Sequence, residues 1–227
     1  MLNVSVVCAV VMPGASTDRR RGIPDDGRAV FDEAMGEIVV VRHGQTEWSK
    51  SGQHTGVTDL ALLPEGEDQA RALAPLLADR SFVEVRVSPR QRARVTAELA
   101  GLTATVVDDD LVEFDYGGYE GRTTKEISAD LGRPWSVWRD GVVPGDTPGE
   151  TVDDVGKRVE RVLDRVRPRL ADGDVALVAH GHVLRVLTAV WLGLAPEDGA
   201  LFALPAGRVG VLGFDHERPA LTAWALG

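Results

Sequence analysis

One cysteine, Cys8, is all that the 227 residues contain, so no internal disulfide framework braces this chain, and a reducing compartment such as the cytoplasm suits it. Long apolar runs are lacking too: no stretch of about 18 apolar residues offers a membrane-spanning helix. No segment repeats at the period of a solenoid. Cations are in deficit, 25 Lys and Arg against 35 Asp and Glu, for a net charge of −10. That balance argues against nonspecific binding to nucleic acid or to an anionic membrane surface. An acidic chain still takes an anionic ligand when its cations gather in one pocket. The length suits one α/β domain with a sizeable core.

What is present is organised around residues 38–48. Ile38, Val39, Val40 and Val41 form a continuous β-branched run, the signature of a strand buried on both faces of a parallel sheet. Arg42, His43 and Gly44 follow at its carboxyl end, where open α/β sheets bind ligands. Arg42 offers an oxyanion a planar fork of charged donors. His43 is a candidate nucleophile, general base or metal ligand. A second apolar run, residues 174–179, ends on His180, Gly181 and His182. Two strands each delivering a His-Gly step, as parallel neighbours in a doubly wound sheet, would set the two imidazoles side by side.

The remaining chain is read in order. Residues 1–34 look foreign to the domain, either a disordered extension or an over-extended start ahead of a natural beginning at Met35; the domain is expected over 35–227. Residues 49–63 read as a loop, in which Gly56 after Thr55 allows close backbone approach to a ligand. A helix is predicted over 65–80, bent or divided by Pro75. After a strand at 82–87 come Arg90, Arg92 and Arg94; steps of two rotate a helix by about 200°, so one enters a pocket while the others face outward. A short strand is expected at 105–107, and residues 111–121 form a structured loop containing Glu113 and Tyr116. Helices are expected over 123–131, 152–170 and 183–192. Trp135 and Trp138, three apart, suggest one packed core face. Strands at 209–214 and 220–225 would close the sheet as a hairpin.

Arg42-His43-Gly44-Gln45-Thr46-Glu47-Trp48, Ser88-Pro89 with Arg92-Ala93 and Thr96-Ala97, Glu113 with Tyr116-Gly117 and Glu120-Gly121, and Ala179-His180-Gly181 stand in this order. Together, over residues 37–226, they resemble the histidine phosphatase (phosphoglycerate mutase-like) superfamily. The stretches 48–56, 134–138 and 179–182 are most similar to its sugar-bisphosphatase and mutase-like acid phosphatase branches. The resemblance implies an α/β, three-layer αβα fold: a mostly parallel sheet with helices on both faces. It implies a phosphatase acting through a phosphohistidine on His43, with Arg42, Arg92 and a cationic His180 around the transferred group. Glu113 would serve as acid and then base. Thr55, Gly56, Gln45, Tyr116 and Gly181 would contact substrate. If His182 and Arg185 project from the start of the helix at 183–192 toward the mouth, they could hold a second phosphate, as a sugar bisphosphatase would require. No metal and no cofactor is implied; the partner would be a small phosphate ester, and the assembly a homodimer. Two departures matter. Ser49 stands where many relatives carry asparagine, and Phe114-Asp115 replace an Arg-His pair usual in mutases, which favours phosphatase over mutase. The alternatives are a phosphoglycerate mutase, an inactive phosphate-binding module, and a metal site built from His43, His180 and His182.

Overall fold

The computed structural model describes residues 35–227, and the extension read for residues 1–34 lies outside the described residues. Six strands form one sheet. β1 (Ile38–Arg42), β2 (Phe82–Val87), β3 (Thr105–Val107) and β4 (Asp174–Ala179) are mutually parallel; β5 (Val209–Asp215) and β6 (Arg218–Leu226) close one side as an antiparallel hairpin. The order is β3-β2-β4-β1-β5-β6. β4 therefore lies directly beside β1, with Arg42 opposite Ala179 in register, so the two His-Gly steps leave the sheet at the same level.

Among the described residues seven α-helices cover the two faces, giving the expected three layers: α1 (Glu47–Ser51), α2 (Pro64–Leu77), α3 (Gln91–Leu99), α4 (Thr124–Leu131), α5 (Val137–Asp140), α6 (Val152–Val166) and α7 (Gly181–Trp191). Alternation along β1 explains the need for both layers. Ile38 and Val40 pack with Val155, Val159, Val162, Leu184 and Leu187 of α6 and α7. Val39 and Val41 pack with Leu73, Leu77, Ala93 and Ala97 of α2 and α3. Ile38, Val39, Val40 and Val41 are fully buried, each worth about 1.5–3 kcal/mol of transfer free energy.

Local chemistry sets several boundaries differently from the sequence expectation. The loop predicted for 49–63 begins as helix α1, because Thr46 and Ser49 form a reciprocal capping box that nucleates a turn. Pro75 does not divide α2. It lies in the last turn of a helix that ends at Leu77, not residue 80. The helix predicted to reach residue 170 ends at Val166 and continues as a 3₁₀ turn, Arg167–Ala171, with Pro168 in its first turn. Thr123 caps α4 and Thr151 caps α6, each through a capping box.

Candidate active site

The carboxyl ends of β1, β4 and β2 supply the centre. His43 extends the ladder: its N–H donates to Ala179 O (3.0 Å), and its carbonyl accepts from Gly207 N–H (2.9 Å). With the backbone fixed on both sides, the ring has little freedom. Its Nδ1 lies 2.7 Å from Gly44 O. A carbonyl only accepts, so Nδ1 carries the proton and Nε2 keeps its lone pair. Burial, reinforced by Arg42 and Arg92, holds the imidazole well below its ordinary pKa. The result is a neutral ring with Nε2 ready to act as a nucleophile.

His180 caps α7, and its ring centroid lies 5.1 Å from that of His43 in an edge-on arrangement. Arg92, the second residue of α3, donates through Nε to His180 Nδ1 (3.1 Å), while His180 Nε2 faces Ser88 Oγ at 2.7 Å. A guanidinium has no acceptor, so Nδ1 must be unprotonated. The sequence expectation of a cationic His180 is thereby corrected for the free site: burial first, then Arg92, His43 and Arg42, push its pKa well below the usual value.

Arg92 is completely buried and fully engaged. Its terminal nitrogens donate to the carbonyls of Thr58 (2.8 Å), Thr55 (3.2 Å) and Gly56 (3.4 Å). From the other side the Glu120 carboxylate accepts the N–H groups of Gly56 and Thr58, each at 3.0 Å. Loop 55–58 is thus fastened between a cation and an anion. A Cβ on Gly56 would fall 2.2 Å from Phe114 O, so glycine is required there for backbone approach.

Glu113 is pinned to the start of α7. Its Oε1 accepts from Phe114 N–H (2.9 Å) and Val183 N–H (3.0 Å), and its Oε2 from His182 N–H (3.0 Å). Helix N-termini favour an anion at such a place. Behind the loop, buried Arg158 donates to Asp110 O and Val112 O, both at 2.7 Å, and grips the Glu150 carboxylate; Glu150 also accepts Asp115 N–H (3.0 Å). The backbone carrying Glu113 is therefore braced on each side.

These elements enclose a cavity of about 150 Å³ lined by Arg42, His43, Ser49, Gly52, Gln53, His54, Thr55, Glu113, Tyr116 and His182. Arg42 donates through one terminal nitrogen to Leu204 O, but its buried Nε has no partner among the described residues. Its other terminal nitrogen makes no hydrogen bond among the described residues, which leaves a charged donor for an anion at the cavity wall. Gly181 presses against that guanidinium, a Cβ there lying 3.0 Å from its central carbon.

Of the residues singled out in the sequence, the structure brings Arg42, His43, Thr55, Glu113, Tyr116 and His182 to the cavity wall. Arg92 and His180 support it from full burial. Gln45 and Gly56 act through their backbones, Gln45 accepting from Leu63 N–H and donating to Gln69 Oε1. Arg185 is turned to the carbonyls of Gly199 and Ala200. The metal set does not assemble among the described residues: Ser88 and Arg92 occupy the nitrogens of His180, and His182 bonds to Tyr116. The motifs include Gln53, His54 and Glu120 without assigning them a role, and Arg158 lies outside them. His54, between two glycines in a polar loop, carried a signal; Arg158, on the apolar face of α6, was an arginine at a core position and should have prompted a search for its partner.

The family model described as Histidine phosphatase superfamily (branch 1) matches residues 38–227. The chain belongs to this superfamily. A Saccharomyces cerevisiae sedoheptulose 1,7-bisphosphatase is 36% identical over 81% of this chain and 90% of its own length. An acid phosphatase of Mycobacterium tuberculosis is 37% identical over 79% of this chain and 87% of its own. A solved Mycobacterium tuberculosis structure, that of the open reading frame Rv3214, superposes with a TM-score of 0.79 at 36% identity, covering 84% of this chain and 97% of that one. This histidine phosphatase therefore has the fold and the enzyme class that its sequence motifs imply. No helix of the described residues is long and apolar enough to cross a membrane.

Proposed function

We propose that this histidine phosphatase is a phosphomonoesterase for small phosphate esters, sugar phosphates among them, working through a phosphohistidine on His43. The supporting observation is the His43 ring, its proton on Nδ1, in one small cavity with the Arg42 guanidinium and Glu113. His43 Nε2 attacks phosphorus in line; the Nε2–P bond forms as the ester P–O bond breaks. Arg42 stabilises charge on the transferring oxygens. Glu113 gives a proton to the departing alkoxide and takes one back from the water that cleaves the phosphoenzyme. A cytoplasmic enzyme acting on a small molecule fits the single cysteine and the acidic surface; self-association as a homodimer is a matter for sedimentation.

The test is phosphate release from a panel of esters at acidic and neutral pH, with rapid-quench trapping of phosphohistidine. His43→Ala should lower turnover by about 10⁴-fold or more, ~5.5 kcal/mol of barrier, and abolish the trapped species. Turnover in that variant comparable with the parent would defeat the mechanism.

A further inference from the structure

Resting on the phosphatase reading above, we infer that the leaving-group end of this cavity is built for an uncharged, hydroxylated alcohol, so that monophosphates of sugars or polyols are preferred over bisphosphates. Away from Arg42, His43 and Glu113, the wall consists of Ser49, Gly52, Gln53, His54, Thr55, Tyr116 and His182, none carrying a permanent charge. What the wall offers is hydroxyl, amide and imidazole groups, which match hydroxyls rather than a second phosphate.

Burial disfavours charge on both imidazoles. His182 Nδ1 lies 2.6 Å from Tyr116 Oη and 4.0 Å from Glu113 Oε2. Burial raises the Tyr116 pKa well above its usual value, so the phenol keeps its proton in this pair. Burial, with Arg185 next in weight, also lowers the His182 pKa. His54 packs against Tyr116 with centroids 4.6 Å apart and against Trp135 at 5.3 Å; burial lowers its pKa to about 4, against a smaller upward pull from Glu113.

The nearby cations are committed elsewhere. Arg185, three residues beyond His182, donates through Nε to Gly199 O (3.0 Å) and through a terminal nitrogen to Ala200 O (2.9 Å). Its guanidinium lies 4.7 Å over the Trp138 ring, whose centroid is 5.0 Å from that of His182. Arg185 is a strut that seats Trp138 and, through it, His182. Lys50, on α1, pairs with Glu65 outside the cavity. A second phosphate brought against this wall would lose hydration and lie next to the Glu113 carboxylate, while Arg185 is held by the Gly199 and Ala200 carbonyls; such a poorly compensated anion is disfavoured. A hydroxyl loses far less and, being donor and acceptor both, can join the bonds that Ser49, Gln53 and Thr55 already make to backbone carbonyls.

The experiment measures kcat/KM of the full chain at pH 7 for a hexose 6-phosphate and the matching 1,6-bisphosphate, with 4-nitrophenyl phosphate as reference. The monophosphate should exceed the bisphosphate by about tenfold or more, since one uncompensated buried charge readily supplies that discrimination. Arg185→Gln should leave the ratio between the two sugars within about threefold, even if both rates fall through loss of the Trp138 seat. A bisphosphate turned over faster than the monophosphate, or a selective loss of bisphosphate turnover in Arg185→Gln, would overturn the inference. Absence of any His43-dependent release from 4-nitrophenyl phosphate would instead defeat the phosphatase reading, and this inference with it.

Discussion

The two ends of the cavity differ in how completely their polar groups are paired. At the inner end Arg42 keeps a terminal nitrogen without a hydrogen bond among the described residues, and His43 keeps an unprotonated Nε2. At the outer end Tyr116 is bonded to His182, and the nearby Arg185 is held by two backbone carbonyls. A charged donor left free at a cavity wall is one that an anionic ligand can engage. The difference therefore separates the phosphate position from the leaving-group position more sharply than a count of charges does.

Removing the acid should break the contrast most directly. Glu113→Gln is expected to lower kcat by about 10²–10⁴-fold for alkyl monophosphates, whose alkoxide needs a proton, and far less for 4-nitrophenyl phosphate, whose leaving group does not. Equal losses on the two substrates would show that Glu113 orients the site and transfers no proton. Arg158→Met should show the same substrate pattern more weakly, about 10–100-fold on alkyl esters, because Arg158 acts only by bracing the backbone on either side of Glu113. It should also lower unfolding stability by about 3 kcal/mol, since Glu150 is left partly buried without its partner; chemical denaturation reads that cost. Arg158→Lys should recover part of the rate.

Stability should also depend on pH through the imidazoles. His43, His54, His180 and His182 all have folded-state pKa values lowered by burial. Their unfolded values lie near 6.5, so between about pH 6.5 and the folded values the unfolded chain binds more protons, and stability falls as pH falls. For His54 the window runs from about 6.5 down to about 4, and at pH 5 it should cost ~1–2 kcal/mol relative to pH 7. Inorganic phosphate, by pairing with the inner end, should offset part of the loss; an unchanged urea midpoint from pH 7 to 5 would show that the rings are solvated. The smallest effect expected is that of Gly181→Ala. Its Cβ would crowd the Arg42 guanidinium at 3.0 Å, so KM should rise severalfold with the fold intact. Steady-state kinetics and a thermal melt of the variant check this.

Much of the arrangement was legible in the chain. The β-branched runs before His43 and His180 required strands buried on both faces, and parallel pairing in register then made the two rings neighbours. Motif spacing marked Arg92 and Glu113 as well. The charge state of His180 was not legible, because it follows from which nitrogen meets Arg92 and which meets Ser88, partners 88 and 92 residues away. Nor was the commitment of Arg185, which depends on a turn 14 and 15 residues downstream.

By itself, then, the sequence determined where strands end and which chemical groups stand at those ends, since hydrophobic period and glycine placement are properties of neighbouring residues. Only the tertiary structure decided which of those groups are free and which are already bonded. Hydrogen-bond satisfaction is settled by partners that the chain brings together from far apart, and on it rests the difference between Arg42, which lines the cavity, and Arg185, which is held to the Gly199 and Ala200 carbonyls.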